Sequence, residues 1–198
     1  MRADLHIHTH YSDGKYTPAD IAERAERAGV ELLSMTDHDS LEGLEEKRAA
    51  AERRGLAFVS GWEVSAYEGL SKVHVLGYRC VRNEAYFRFL EERKAGALMR
   101  AEDSLKKANT ALGLTLTMAD VERERAVKTA PLHTMHVVRA FARALFGDAE
   151  RAGEVYLNYF GAGKPAFSGL CRPTPSEAVH IIHGLGAIAG LAHPGRIE

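Results

Sequence analysis

The sequence is poor in several of the features that usually betray a specialised protein, and each shortage excludes something. Only two cysteines occur, Cys80 and Cys171, and they form no Cys-x-x-Cys pair. A disulfide-stapled scaffold and a cysteine zinc site are excluded, and two free thiols in a reducing compartment are expected. No apolar run approaches the ~20 residues of a membrane-spanning helix. The first residues are interrupted at once by Asp and His, so they do not read as a signal or transit peptide, and a cytoplasmic protein is expected. Charge of one sign is also missing. The 26 basic and 27 acidic residues interleave to a net charge of −1, which leaves no basic stripe for nucleic acid. Internal repeats and low-complexity segments are absent.

What is present is an ordinary globular composition, 45% hydrophobic and 27% charged over 198 residues, enough for one domain with a sizeable core. Against that background stands an unusual concentration of imidazole and carboxylate. Asp4, His6, His8, His10 and Asp13 fall within ten residues, and Asp37, His38 and Asp39 follow in Thr-Asp-His-Asp. His and Asp are ligands that borderline divalent metals prefer. In a strand, residues two apart point to one face, so Asp4, His6 and His8 share a face and the two imidazoles aim at one point.

The first half alternates strand and helix. Strands are expected at 3–8, 31–36, 57–64 and 72–78, and helices at 18–28 and 41–54. Thr17 and Ser40 serve as caps, and Gly29 and Gly55 as stops. This rhythm predicts βαβ units and a parallel sheet. The middle breaks it. A helix over 83–111 is followed by helices at 118–124, 136–145 and 149–160, a helical insertion rather than further βα units. A loop-like segment over 161–175, a helix over 175–183 capped by Thr174 and a strand over 187–192 complete the chain. It ends soon after that strand, so a barrel or sheet short of its last units is expected.

Catalytic residues of parallel α/β folds gather at the carboxyl ends of strands. Those ends carry His6 and His8, with His10 and Asp13 in the following loop, then Asp37 and His38, Glu63, His74 and His193. The candidate ligands His6, His8, Asp13, His38, Glu63, His74 and His193 are more than one ion needs. Two or three ions follow, with Glu63 as the best bridge. Two ions about 3.5–4 Å apart suit phosphate-ester hydrolysis, one acidifying a water that attacks phosphorus as hydroxide and the other neutralising the phosphoryl oxygens. Asp37 or Asp39 is the candidate for orienting that water. His10 is placed behind the ligands, Trp62 in packing, and Tyr11 and Tyr67 in core or surface roles. His133, His180 and His183 are read as ordinary histidines of the helical part.

The motifs Asp4-Leu5-His6-Ile7-His8-Thr9, Ser12-Asp13-Gly14, Thr36-Asp37-His38-Asp39, Gly61-Trp62-Glu63, Val73-His74-Val75-Leu76-Gly77-Tyr78 and Ala192-His193-Pro194-Gly195-Arg196 resemble the PHP (polymerase and histidinol phosphatase) family, in order and over nearly the whole chain. The helical middle is similar to the insertion of the branch that holds nucleotide phosphatases and RNase AM-type exonucleases. The resemblance implies a distorted, TIM-like β/α barrel formed by residues 1–82 and 162–198, with 83–161 as a substrate lid. It implies a trinuclear centre of manganese, iron or zinc. His6, His8 and Glu63 would bind one ion, Glu63, His74 and His193 the second, and Asp13 and His38 the third. The family's closing Asp-x-His motif lies beyond the last residue of this sequence, so the barrel is expected to be open and the first and third ions each a ligand short. That branch also carries Arg-Pro-His before a helix, where Arg and His contact phosphate. Here the positions read Thr134-Met135-His136, which keeps the His and makes Lys164, Arg172 or Arg196 the candidates to replace the Arg. The implied activity is hydrolysis of a phosphorylated small substrate, a nucleotide phosphomonoester or a short RNA or DNA end. A non-catalytic metal-binding or regulatory module is the alternative. A histidinol-phosphate phosphatase is a third reading, which the insertion disfavours. The sequence leaves oligomeric state open.

Overall fold

The computed structural model of the chain describes residues 1–196, without the side chain of Arg196. The substrate contact expected of Arg196 therefore lies outside the described residues. Strands β1 (Ala3–Ile7), β2 (Leu32–Met35) and β3 (Ala57–Phe58) pair in parallel, in that order. Parallel neighbours need a crossover, and α1 (Pro18–Arg27) and α2 (Leu44–Glu52) supply the two. Helix α1 begins as its sequence dictates. Thr17 Oγ1 accepts from the Asp20 N–H, the Asp20 carboxylate accepts from the Thr17 N–H, and Pro18 opens the first turn. Ile21, Ala22 and Ala25 then bury against Leu33 and Met35. Helix α2 starts three residues later than expected. Ser40 Oγ accepts from the Glu42 N–H and closes a turn, the Leu41 N–H is taken by the Tyr86 hydroxyl, and Gly43 caps the helix from the left-handed region at φ +69°. A Cβ on Gly43 would stand 2.1 Å from the Tyr11 ring, so glycine is required there on two counts.

The expected parallel sheet stops at β3. The strand predicted over 57–64 is two strands, and the second, β4 (Gly61–Glu68), turns back through Gly69 and Leu70 into β5 (Ser71–Tyr78). A two-residue connection cannot make a parallel crossover, so this pair is antiparallel, with Glu63 opposite Leu76 and Ser65 opposite His74. β6 (Ile188–Leu191) adds to β5, again antiparallel. The strands thus form two three-stranded sheets rather than one parallel sheet, and among the described residues they do not close into a ring. The sheets meet at one seam, where the Glu63 N–H donates to the Asp37 carbonyl at 3.1 Å and the Asp39 N–H donates to the Glu63 carbonyl at 2.8 Å.

Helices α3 (Glu84–Leu112), α4 (Met118–Arg123), α5 (Thr134–Phe146) and α6 (Ala152–Val155) make the helical part, and α6 runs on into a π-helical turn, Tyr156–Phe160. The first turns of α3 bury Tyr86, Phe89 and Leu90 against Trp62 and α7 (Pro175–Gly184), in the core of the β4–β5 sheet. Its later turns bury Ala97, Leu105 and Ala108 against Val137 and Phe141 of α5. One helix therefore serves two cores and fastens the helical part to the sheet. Seven residues are close to two helical turns, so Arg93, Arg100 and Lys107 stand along one face of α3. Arg93 and Arg100 donate to the Cys171 carbonyl and Lys107 to the Phe167 carbonyl. The loop between Phe160 and Pro175 is thereby pinned over the sheet. Both cysteines are free, Cys80 buried and Cys171 exposed. No helix among the described residues is long and apolar enough to cross a membrane.

Candidate metal centre

The seam between the sheets places Glu63, with no exposed surface, at the middle of a ring of imidazoles. β1 delivers His6 and its following loop His8. The chain after β2 delivers His38, β5 delivers His74 on the same face as Glu63, and the turn after β6 delivers His193. His6 Nε2, His74 Nδ1 and His193 Nε2 lie 3.2, 2.7 and 3.2 Å from Glu63 Oε1. His8 Nε2 and His38 Nδ1 each lie 3.1 Å from Oε2. The rings also press on each other, with His6 and His8 nitrogens 3.3 Å apart and His74 and His193 nitrogens 3.1 Å apart. His193 holds its place from the left-handed region at φ +27°, a strained backbone for a residue with a Cβ.

Asp13 lies beside this ring, 3.4 Å from His8 Nδ1 and 3.8 Å from His38 Nε2. Three donor groupings converge closely enough to hold an ion: His6, Glu63 and His193; His8, His38 and Glu63; and Asp13, His38 and His133. They hold six of the seven expected ligands, leave out His74, add His133, and distribute the six differently from what the resemblance implies. His8 joins His38, and His193 joins His6. His74 touches both Glu63 and His193. His133, set aside in the sequence, stacks on His38 with ring centroids 4.6 Å apart and planes 13° apart. Its only signal in sequence is a second imidazole three residues before His136. Asp4 shares the strand with His6 but is exposed. His10 stacks on Tyr11 and belongs to none of these groupings.

A carboxylate offers about four lone-pair sites. Five imidazoles surround this one, and yet Oε2 has no partner in hydrogen-bond geometry, nor do His74 Nε2 and His193 Nδ1. His8 Nε2 and His38 Nδ1, which crowd Oε2 without hydrogen-bond geometry, and the unpartnered far nitrogens of His74 and His193 are disposed as cation ligands, while His193 Nε2 keeps a hydrogen bond to Oε1, and divalent ions fit this donor set. The charges agree. Burial would raise the Glu63 carboxyl, but the imidazoles of His6, His74 and His8 outweigh it and hold the group well below the usual carboxylate range. Burial pushes His38, His74 and His133 down, keeping them neutral, the form that binds metal. His8 goes up, because Glu63 and Asp13 overcome its burial.

The two aspartates expected to orient water have other tasks. Asp37 is fully buried and accepts from the Thr9 N–H, Thr9 Oγ1 and Ser12 Oγ, with Lys47 Nζ at 2.6 Å. Those four contacts use its lone pairs, so it fixes the loop that carries His8 and Asp13 and has none left for water. Asp39 adopts φ +53° and accepts from the Ser65 N–H at 3.0 Å, bracing the sheet seam. His136 is likewise committed. Its Nδ1 accepts from the His133 N–H at 2.9 Å, and its ring donates to the Ser12 carbonyl. Arg139, one turn on, donates to the Asp13 carbonyl at 2.7 Å. Helix α5 thus grips the backbone on both sides of Asp13. Arg172 reaches Thr134 Oγ1 at 3.2 Å and lines a cavity beside Asp13 and His133. Lys164 is exposed on the loop and does not line that cavity.

Burial and the Arg139 charge lower His136 to about 4. An imidazole depressed when folded costs stability on acidification, because the unfolded chain takes up the proton first. Its contribution is complete above the unfolded value near 6.5 and is lost as pH falls from there toward 4, roughly 3 kcal/mol for one such group. His38 and His133 act in the same direction. Urea melts of chelator-treated protein are expected to show this decline between pH 6.5 and 4, with a shallower slope in His136→Gln.

This fold and this donor set define the PHP domain, and the family model of that name matches residues 4–131. The chain belongs to that family. It is 34% identical to a 3',5'-nucleoside bisphosphate phosphatase of Chromobacterium violaceum, over 98% of this chain and 67% of the relative. It is 29% identical to a 5'-3' exoribonuclease of Haemophilus influenzae, over 98% of this chain and 69% of the relative. Among solved structures, an amidohydrolase from Chromobacterium violaceum with bound sulfate and no metal matches all of this chain and 69% of its own, with a TM-score of 0.85 and 32% identity.

Proposed function

We propose that this protein hydrolyses a phosphate ester of a nucleotide, or the terminal phosphate of a short nucleic acid, at two or three divalent cations. Phosphoester hydrolysis is common to the names of the relatives and is the class of this chain. The choice of a nucleotide substrate is our reading. The observation that carries the metal dependence is the convergence of five imidazoles on the buried Glu63 carboxylate. His6, His8, His38, His74, His193, Glu63 and Asp13 would hold the ions, and His133 completes the donor set around Asp13. When bound, manganese, iron or zinc would supply a water acidified toward neutrality and would offset charge on the phosphoryl oxygens.

The remaining chemistry belongs to the chain. Glu63 stays ionised throughout the working pH range and ties the donors from both sheets into one unit. Asp37 and Asp39 hold the loop and the seam so that the donors keep their spacing, which is the preorganisation a charged transition state needs. Arg172 stands next to the Thr134 hydroxyl, at the position where the related branch carries arginine, and presents a cation to the substrate anion. Phosphate release from 4-nitrophenyl phosphate, a nucleoside 5'-monophosphate, a 3',5'-bisphosphate and a short RNA tests this reading. Turnover is expected with manganese and is lost on chelation. No turnover on any of the four, with metal bound, overturns it.

A further inference from the structure

His38 stands between two donor groupings. Its Nδ1 lies 3.1 Å from Glu63 Oε2, and its Nε2 lies 3.8 Å from Asp13 Oδ2. It belongs both to the grouping with His8 and Glu63 and to the grouping with Asp13 and His133. A neutral imidazole carries one N–H and one lone pair, so it ligates through only one of its nitrogens. Whatever fixes the proton on the other nitrogen decides which ion His38 serves.

Ser65 supplies that partner. Glu63 and Ser65 are two apart in β4 and send their side chains to one face. Ser65 is 3% exposed, and its Oγ lies 3.4 Å from His38 Nδ1 in hydrogen-bond geometry. Glu63 Oε2 is nearer to the same nitrogen but out of line for a hydrogen bond. Ser65 is also held in place. Its N–H donates to Asp39 Oδ1 at 3.0 Å, and the Asp39 N–H donates to the Glu63 carbonyl at 2.8 Å. The residue after His38 is therefore clipped to β4 on both sides of Val64, and the Ser65 hydroxyl and the His38 ring close the circuit. The direction of that last bond follows from valence. If the hydroxyl donated, Nδ1 would spend its lone pair on it, Nε2 would carry the proton, and His38 could bind no ion in either grouping. If the hydroxyl accepts, Nδ1 carries the proton and the lone pair of Nε2 faces Asp13.

We propose that Ser65 is a positioning residue whose hydroxyl accepts the Nδ1 proton of His38, so that Nε2 serves the ion beside Asp13 and not an ion on Glu63. The inference rests on the metal-dependent reading above and names the group that allots a shared ligand within it. Without that allotment the position beside Asp13 keeps only Asp13 and His133 from its grouping.

The test compares wild type with Ser65→Ala, which removes the hydroxyl, and Ser65→Thr, which keeps it. Thermal melts by circular dichroism verify that both fold. Long-range proton–nitrogen NMR spectra of metal-free protein report the tautomer of each imidazole, with His38→Gln to assign the signal. In wild type His38 is expected to carry its proton on Nδ1, and a proton on Nε2 overturns the proposal without any variant at Ser65. In Ser65→Ala the single tautomer is expected to give way to a mixture, and in Ser65→Thr to persist. Manganese titration, followed by the spin-resonance signal of the free ion, is the second readout. One ion is expected to bind roughly 10–100-fold more weakly in Ser65→Ala. That loss is expected to vanish in an Asp13→Ala background, where the position beside Asp13 has already lost its carboxylate. A loss that persists at full size in that background assigns His38 to Glu63 and overturns the proposal. So does Ser65→Ala with both tautomer and affinities unchanged, or Ser65→Thr that behaves as Ser65→Ala. If wild type binds no manganese, the metal-dependent reading fails, while the tautomer in metal-free protein still decides the role of Ser65.

Discussion

Glu63→Gln is expected to leave the protein folded but to lower kcat/KM by roughly 10³-fold or more, together with its metal content. The substitution changes neither size nor shape. It removes one negative charge and makes one of the two oxygens an amide nitrogen that can only donate. Glu63 serves two of the three donor groupings, so a single replacement weakens two ion positions at once. It also stands where the sheets join, with its backbone fixed by the Asp37 carbonyl and the Asp39 N–H. Elemental analysis beside steady-state kinetics checks the expectation. Full metal content with activity within tenfold of wild type would show that the carboxylate is not the hub the geometry makes it.

Lys47→Met is the second large effect, and it acts on stability. Lys47 and Asp37 are both buried, at 1% and 0% side-chain exposure, with 2.6 Å between charged atoms. Burial alone would raise the Asp37 carboxyl, but Lys47 and the Ser12 and Thr9 donors outweigh it and keep it ionised. Removing the ammonium leaves a carboxylate with no counter-charge in a dry setting. Breaking a buried pair in this way costs about 3–5 kcal/mol, a large share of a typical domain's stability. For a chain of this size the midpoint of thermal unfolding is expected to fall by roughly 6–20 °C. The double variant Lys47→Met with Asp37→Asn removes both charges and is expected to recover most of that loss. A double variant no better than the single one would mean that shape, not charge, makes the pair necessary.

Parts of this site are legible in the sequence because they are local. His6 and His8 lie two apart, and the extended chain sends both toward Glu63. Thr17-Pro18 and Thr174-Pro175 each start a helix where a capping threonine and a first-turn proline require one. The helical insertion shows because its apolar spacing persists over several turns. What is hidden depends on partners far along the chain. Asp37 looks like a catalytic carboxylate in its motif, yet Thr9, Ser12 and Lys47 take up its oxygens. His133 looks ordinary until α5 sets it flat against His38. Ser65 is one serine among several until the seam between the sheets brings its hydroxyl to His38.

The same division explains the sheet. Alternating strands and helices correctly predict β1 to β3 as a parallel set, because each crossover helix lies between them in the chain. The switch to an antiparallel β4–β5 hairpin turns on two residues, Gly69 and Leu70, embedded in an otherwise uniform pattern of strand-forming residues. The sequence by itself determined the donor types, their local spacing and the helices that flank them, because these follow from backbone periods of two and 3.6 residues. Only the tertiary structure decided which donors meet, which carboxylate is spent on support and which hydroxyl faces a shared imidazole, because those depend on charges and hydrogen bonds between segments as much as 130 residues apart.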